Sequence, residues 1–150
     1  MRNDFLEIVF LVLALVCGAS CEELLPKVCG LGFPVLLTSV HFLLTRGNPV
    51  LGFLFAAAAG ATEDALCSLT PMTSVSYFLL TAALVRQVGL PRVLTVLAYP
   101  CYQLWLAVWT GGLNVFSRLL LAFPVGLVTA LVVGWTLSGL LRKAAIDERG

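Results

Sequence analysis

Charge is scarce in this chain. Only 11% of its residues are Asp, Glu, Lys or Arg, too few to coat a water-soluble globule of 150 residues. The basic residues are scattered and the formal net charge is +1, which argues against a nucleic-acid footprint and against a polybasic lipid-binding patch. Histidine occurs once, as His41. The five cysteines, at positions 17, 21, 29, 67 and 101, form no CxxC pair beside a histidine cluster. Their odd number and spacing argue against a disulfide framework or a zinc site, and they are expected to be small apolar fillers at helix contacts. No GxSxG, HExxH or P-loop motif occurs, nor a GxGxxG flanked by a strand. Neither an enzyme nor a cofactor is expected.

Apolar residues are abundant. They make up 60% of the chain, and the mean hydropathy is +1.02, as suits a protein whose main solvent is a bilayer. A membrane helix needs about 20 mostly apolar residues. Breaks at Cys21-Glu22-Glu23, Arg46-Gly47-Asn48-Pro49, Thr70-Pro71, Arg86 to Arg92 and Gly111-Gly112-Leu113-Asn114 leave six candidate spans. These run over about 5–20, 24–45, 50–69, 72–88, 93–110 and 116–141. The expected fold is therefore all-α, a single integral-membrane domain over residues 1–150 built as a polytopic helix bundle. Short turns predict antiparallel neighbours. Pro34, Pro100 and Pro124 lie inside spans, where each removes a backbone hydrogen bond, so kinks or a partly broken second helix near Pro34 are expected.

The first apolar run, Ile8 to Val16, also has the length of a signal-peptide core, and Cys21 follows Gly18-Ala19-Ser20 in a loose lipoprotein-like setting. A lipoprotein or secreted remnant would require cleavage before Cys21. Retention as the first membrane helix is the expectation, because Arg2 is offset by Asp4 and Glu7 and everything downstream is again apolar. With six spans and a cytoplasmic N-terminus, the inner segments hold seven basic residues: Arg2, Arg46, Arg86, Arg92, Arg142, Lys143 and Arg149. The outer segments hold two, Lys27 and Arg118. That bias places both termini in the cytoplasm.

Glu63 and Asp64 are the least expected polar residues, since carboxylates inside a span are costly and usually face a protein interior, a cavity or a partner. They stand about 20 Å along the third span. Adjacent on a helix, they point about 100° apart, poor geometry for a shared metal or an acid/base pair. The plain expectation is that they hydrogen-bond broken backbone nearby or meet Lys27 or Arg118. Gly52, Ala56, Gly60 and Asp64 recur at every fourth position and form a ridge of small side chains, a surface for close helix approach. The sixth span carries a similar ridge at Gly126, Ala130, Gly134 and Ser138, and pairing of the two is expected. Glu63, Asp64, Gly60 and Pro71 are thus the candidate partner-interface or buried polar residues. Tyr99, Tyr102, Trp105 and Trp109 gather on the fifth span as packing aromatics or interfacial anchors. His41 is expected near the cytoplasmic interface in an interfacial or packing role. The hydroxyl-rich stretch Ser68 to Tyr77 has no evident base beside it.

The order of these features resembles the MreD family, the small membrane subunit of the bacterial rod-shape complex. It rests on Leu24-Leu25-Pro26, a second span broken by Pro34, and Thr45-Arg46-Gly47-Asn48-Pro49. The Gly/Ala-rich helix ending in Glu63-Asp64-Ala65-Leu66, the turn Leu69-Thr70-Pro71-Met72-Thr73, and Ser76-Tyr77-Phe78-Leu79-Leu80 leading to Arg86 continue it, and Leu141-Arg142-Lys143 closes it. Val35 stands where the family often has an aspartate, and Asp64, Ser68 and Pro71 match its aspartate, serine/glycine and proline approximately. The resemblance implies a non-enzymatic scaffold in the bacterial cytoplasmic membrane, working with MreC, MreB, RodA and a class B penicillin-binding transpeptidase in peripheral peptidoglycan synthesis. The alternative is the substrate-binding membrane component of an energy-coupling vitamin transporter, which is also a bundle of about six helices and which would need an occluded pocket with convergent polar groups.

Overall fold

The computed structural model describes residues 2–29, 32–44, 48–88, 91–110 and 115–147. Among the described residues there are six helices: α1 (Arg2–Cys29), α2 (Val35–Leu44), α3 (Pro49–Leu66), α4 (Thr73–Val88), α5 (Pro91–Thr110) and α6 (Val115–Asp147). No strand occurs among the described residues. Three helices are long and apolar enough to cross a membrane, over Glu7–Val28, Pro49–Leu66 and Leu119–Gly139.

The helix boundaries follow local chemistry, with one departure from expectation. Asn48 caps α3, its side-chain oxygen accepting from Val50 N at 3.0 Å, and Pro49 occupies the first turn, where its missing N–H costs nothing. The reversal between α3 and α4 is tight enough to hold Ser68 and Met72 at positive φ (51° and 73°). The break expected at Cys21-Glu22-Glu23 is absent. Helix α1 runs through it to Cys29, and the second helix begins at Val35 rather than Leu24. Glutamate is a good helix former and nothing at 21–23 forces a turn, whereas Gly32 and Pro34 precede the actual start of the second helix. Pro100 and Pro124 remain inside α5 and α6. The connections at 45–47, 89–90 and 111–114 lie outside the described residues.

Helix α2 is the core element. It meets all five other helices, and its buried residues include Leu36, Leu37, Val40 and His41, so it has no solvent or lipid face of its own. Around it the buried Phe55, Ala56 and Ala59 of α3, Phe78 and Ala82 of α4, and Ala98 and Tyr102 of α5 complete one apolar cluster. Helix α4 doubles back along α3, and α6 packs on α5 and α2. The two small-residue ridges do not pair: among the described residues α3 and α6 are not in contact. A side chain added at Gly126 would meet Tyr99 of α5, and one at Gly134 would approach Phe42 of α2. The α3 ridge instead serves α4, where a Cβ on Gly60 would lie 2.6 Å from Val75 Cα. Only glycine admits so close a backbone approach.

Candidate functional site: a carboxyl cluster where two helices begin

Helix α1 is almost unburied, with 6% of its apolar span covered, yet it is fastened at two points by carboxylates. Glu7 Oε1 accepts from Asn48 N at 2.9 Å, at the start of α3. About four turns on, Glu22 Oε1 accepts from Leu36 N at 2.6 Å, at the start of α2. A helix that begins inside a bundle exposes N–H groups with no partner of their own, and a carboxylate there satisfies both the hydrogen bond and the helix dipole. Glu22 therefore caps the broken second helix from a neighbouring one.

Asp64 does the same for α4. Its Oδ1 accepts from Ser74 N at 2.7 Å, and the residue is only 6% exposed. Ser74 Oγ in turn shares a 2.6 Å hydrogen bond with the hydroxyl of Tyr102, which is buried. Tyr102 packs against Tyr77 and Phe78 with ring centroids 5.1 and 5.8 Å away. Trp105 Nε1 donates to Thr73 O at 3.0 Å, and its ring lies 5.9 Å from Tyr77. The aromatics at 102 and 105 are packing groups; Trp109, tilted against Trp105 with ring centroids 6.1 Å apart, is exposed.

The two expected acids part company as their spacing requires. Asp64 turns inward to α4, while Glu63 meets the Glu22 carboxyl across the α1–α3 contact. Cys67 Sγ also donates to Glu63 Oε1, at 3.7 Å. A crevice of about 410 Å³ opens beside this pair, lined by Glu22, Lys27, Glu63, Tyr99 and Gln103 among others. Tyr99 donates to Gly32 O at 3.4 Å on its far side. Lys27 is not paired with Glu63 or Asp64 but with Glu23, at 2.8 Å on the exposed face of α1; the side chain of Arg118 lies outside the described residues. Glu22 Oε2 and Asp64 Oδ2 are buried without an N–H or hydroxyl donor. The crevice wall carries the carboxyls of Glu22 and Glu63, the phenol of Tyr99 and the amide of Gln103. No cluster of three or more His, Cys, Asp or Glu suited to a metal ion is found among the described residues.

Of the candidates read from sequence, Glu63 and Asp64 belong to the cluster, and Gly60 stands one turn before Asp64 where α3 and α4 touch. Pro71 sits in the exposed α3–α4 turn and does not line the crevice. Glu22 was hidden by its reading as part of a break. A carboxylate about two turns before Cys29, on the same helix as Glu7, was the available signal. The described cysteines at 17, 21, 67 and 101 are free and exposed rather than buried at helix contacts, and His41 is fully buried, in keeping with the packing alternative of its two expected roles. No protein-family model, no curated protein and no solved structure matches this chain.

Proposed function

We propose that this chain is a six-span, non-enzymatic scaffold subunit of the bacterial rod-shape complex, lying in the cytoplasmic membrane with both termini inside. The observation that carries the reading is the use made of its buried acids. Glu22 and Asp64 are committed to holding the first turns of α2 and α4, while α1 and α6 keep long apolar faces uncovered, with Val12, Val16, Leu131 and Trp135 all more than half exposed. Such faces suit lipid and the helices of partner proteins, and association between membrane helices depends on packing surfaces of this kind. The resemblance to the MreD family supplies the partners: MreC, MreB, RodA and a class B penicillin-binding transpeptidase.

Affinity purification of the tagged full chain in mild detergent tests this. Recovery of a single-span coiled-coil partner and an actin-like protein is expected, and Asp64→Ala is expected to reduce that recovery and alter cell shape. A gene neighbourhood holding actin-like and coiled-coil genes agrees with the scaffold; one holding transporter ATPases does not.

The crevice beside Glu22, Glu63, Tyr99 and Gln103 favours a second reading, capture of a small solute as in the membrane component of an energy-coupling vitamin transporter. Tight, saturable binding of a vitamin by the purified chain would replace the scaffold reading with this one.

A further inference from the structure

A separate cavity of about 220 Å³ lies between α2, α4 and α5, away from the carboxyl cluster. At its base is His41, 0% exposed, with neither ring nitrogen hydrogen-bonded. The donors of the two wall hydroxyls are already used, Tyr77 donating to Ala98 O and Thr81 Oγ1 to Tyr77 O at 3.0 Å, and the free thiol of Cys101 is the remaining weakly polar group. The rest of the wall is largely leucine, and its outer rim, Leu80, Leu84 and Leu97, is 40–51% exposed. The cavity therefore leads from a buried imidazole to the outer surface of the helix pair.

A neutral imidazole carries one donor and one acceptor, and leaving both unmet in an apolar interior is unfavourable. Water is a weak remedy, because an ordered water needs two to four polar partners and beside His41 the wall offers only the remaining lone pairs of the Tyr77 and Thr81 hydroxyls and the weakly bonding Cys101 thiol. A charged headgroup is worse, since no cation or free acid lines the space. An engineered apolar cavity of about 150 Å³ already admits benzene, so this one has room for a polar head and the first carbons of a chain.

We propose that the cavity binds a neutral, single-chain alcohol of lipid type, its hydroxyl hydrogen-bonded to His41 and its chain leaving between α4 and α5 along Leu84 and Leu97. The inference rests on the membrane placement proposed above, which makes the exposed rim a lipid-facing one.

The test uses the full chain in lipid nanodiscs and two photoreactive probes, a medium-chain alcohol and the corresponding alkane, each with a mid-chain diazirine. The alcohol is expected to label the segments around Leu80–Leu84 and Leu94–Cys101 about tenfold more than the alkane, the ratio that one hydrogen bond to a buried group supplies. Unlabelled alcohol should compete. His41→Phe should abolish the preference and His41→Gln should retain part of it. Leu84→Trp, at a partly exposed rim position where folding is not at stake, should block labelling by closing the mouth. Equal labelling by the two probes at these segments, or an undiminished preference in both His41→Phe and Leu84→Trp, would overturn the proposal. Alkane labelling of the exposed faces of α1 and α6 reads lipid immersion separately; its absence would overturn the membrane placement and the ligand with it.

Discussion

The Glu22 carboxylate accepts the backbone N–H of Leu36 across the α1–α2 contact at 2.6 Å. Helix α1 lays Phe10, Leu11, Ala14 and Leu15 against the core, and this bond and the one that Asn48 N donates to Glu7 fasten it at two levels. The second helix is equally dependent, because at ten residues it is too short to be stable alone and starts inside the bundle.

Replacing Glu22 by Ala should lower stability by about 1–3 kcal/mol, the cost of an orphaned buried donor. Glu22→Gln keeps an acceptor for Leu36 and adds donors toward Glu63, so it should stay within about 1 kcal/mol of the parent. Thermal unfolding in detergent separates them; a Gln variant as unstable as the Ala variant would argue against the capping role.

Asp64→Asn should likewise be mild and Asp64→Ala severe, by about 1–3 kcal/mol, because only the latter leaves Ser74 N without its acceptor. The second readout is local. Amide exchange at Ser74 and the next turn of α4 should quicken in the Ala variant alone.

Gly60→Ala should destabilise by about 1–3 kcal/mol through overpacking, since the added methyl would meet the backbone of Val75, which cannot swing aside as a side chain can. Gly134→Ala is the control, its nearest neighbour being Phe42 at 4.0 Å, and should be near neutral. Midpoints of thermal aggregation of the two variants, compared in one detergent, give the answer.

Tyr102→Phe should cost about 0.5–1.5 kcal/mol by removing one hydroxyl from the 2.6 Å contact with Ser74. Combined with Ser74→Ala the loss should be less than the sum of the single changes, because either one already breaks the shared bond. Strict additivity in the double-mutant cycle would mean that the contact contributes nothing.

Much of the helix layout is written locally. Asn48-Pro49 sets the start of α3, and Thr70-Pro71 marks its reversal into α4, because capping, missing N–H groups and turn geometry are short-range effects. The opposite ridge of α3 was legible as a close-contact surface for the same reason: a four-residue period of small side chains has one meaning on a helix. Its partner was not legible. Gly60 could have received α6 as readily as α4, and the choice followed from the short 67–72 reversal and the central place of α2.

The acids show the same division. Composition and hydropathy place this chain among membrane helices, and the cost of burying Glu63 and Asp64 says in advance that they must find partners. Which partners, and that Glu22 joins them, depends on α1 running unbroken to Cys29 and bringing a carboxylate against residues 14 and 41 positions further along the chain. Local sequence sets where backbone hydrogen bonding must stop; only packing in three dimensions brings another helix's carboxylate to the N–H groups left open there.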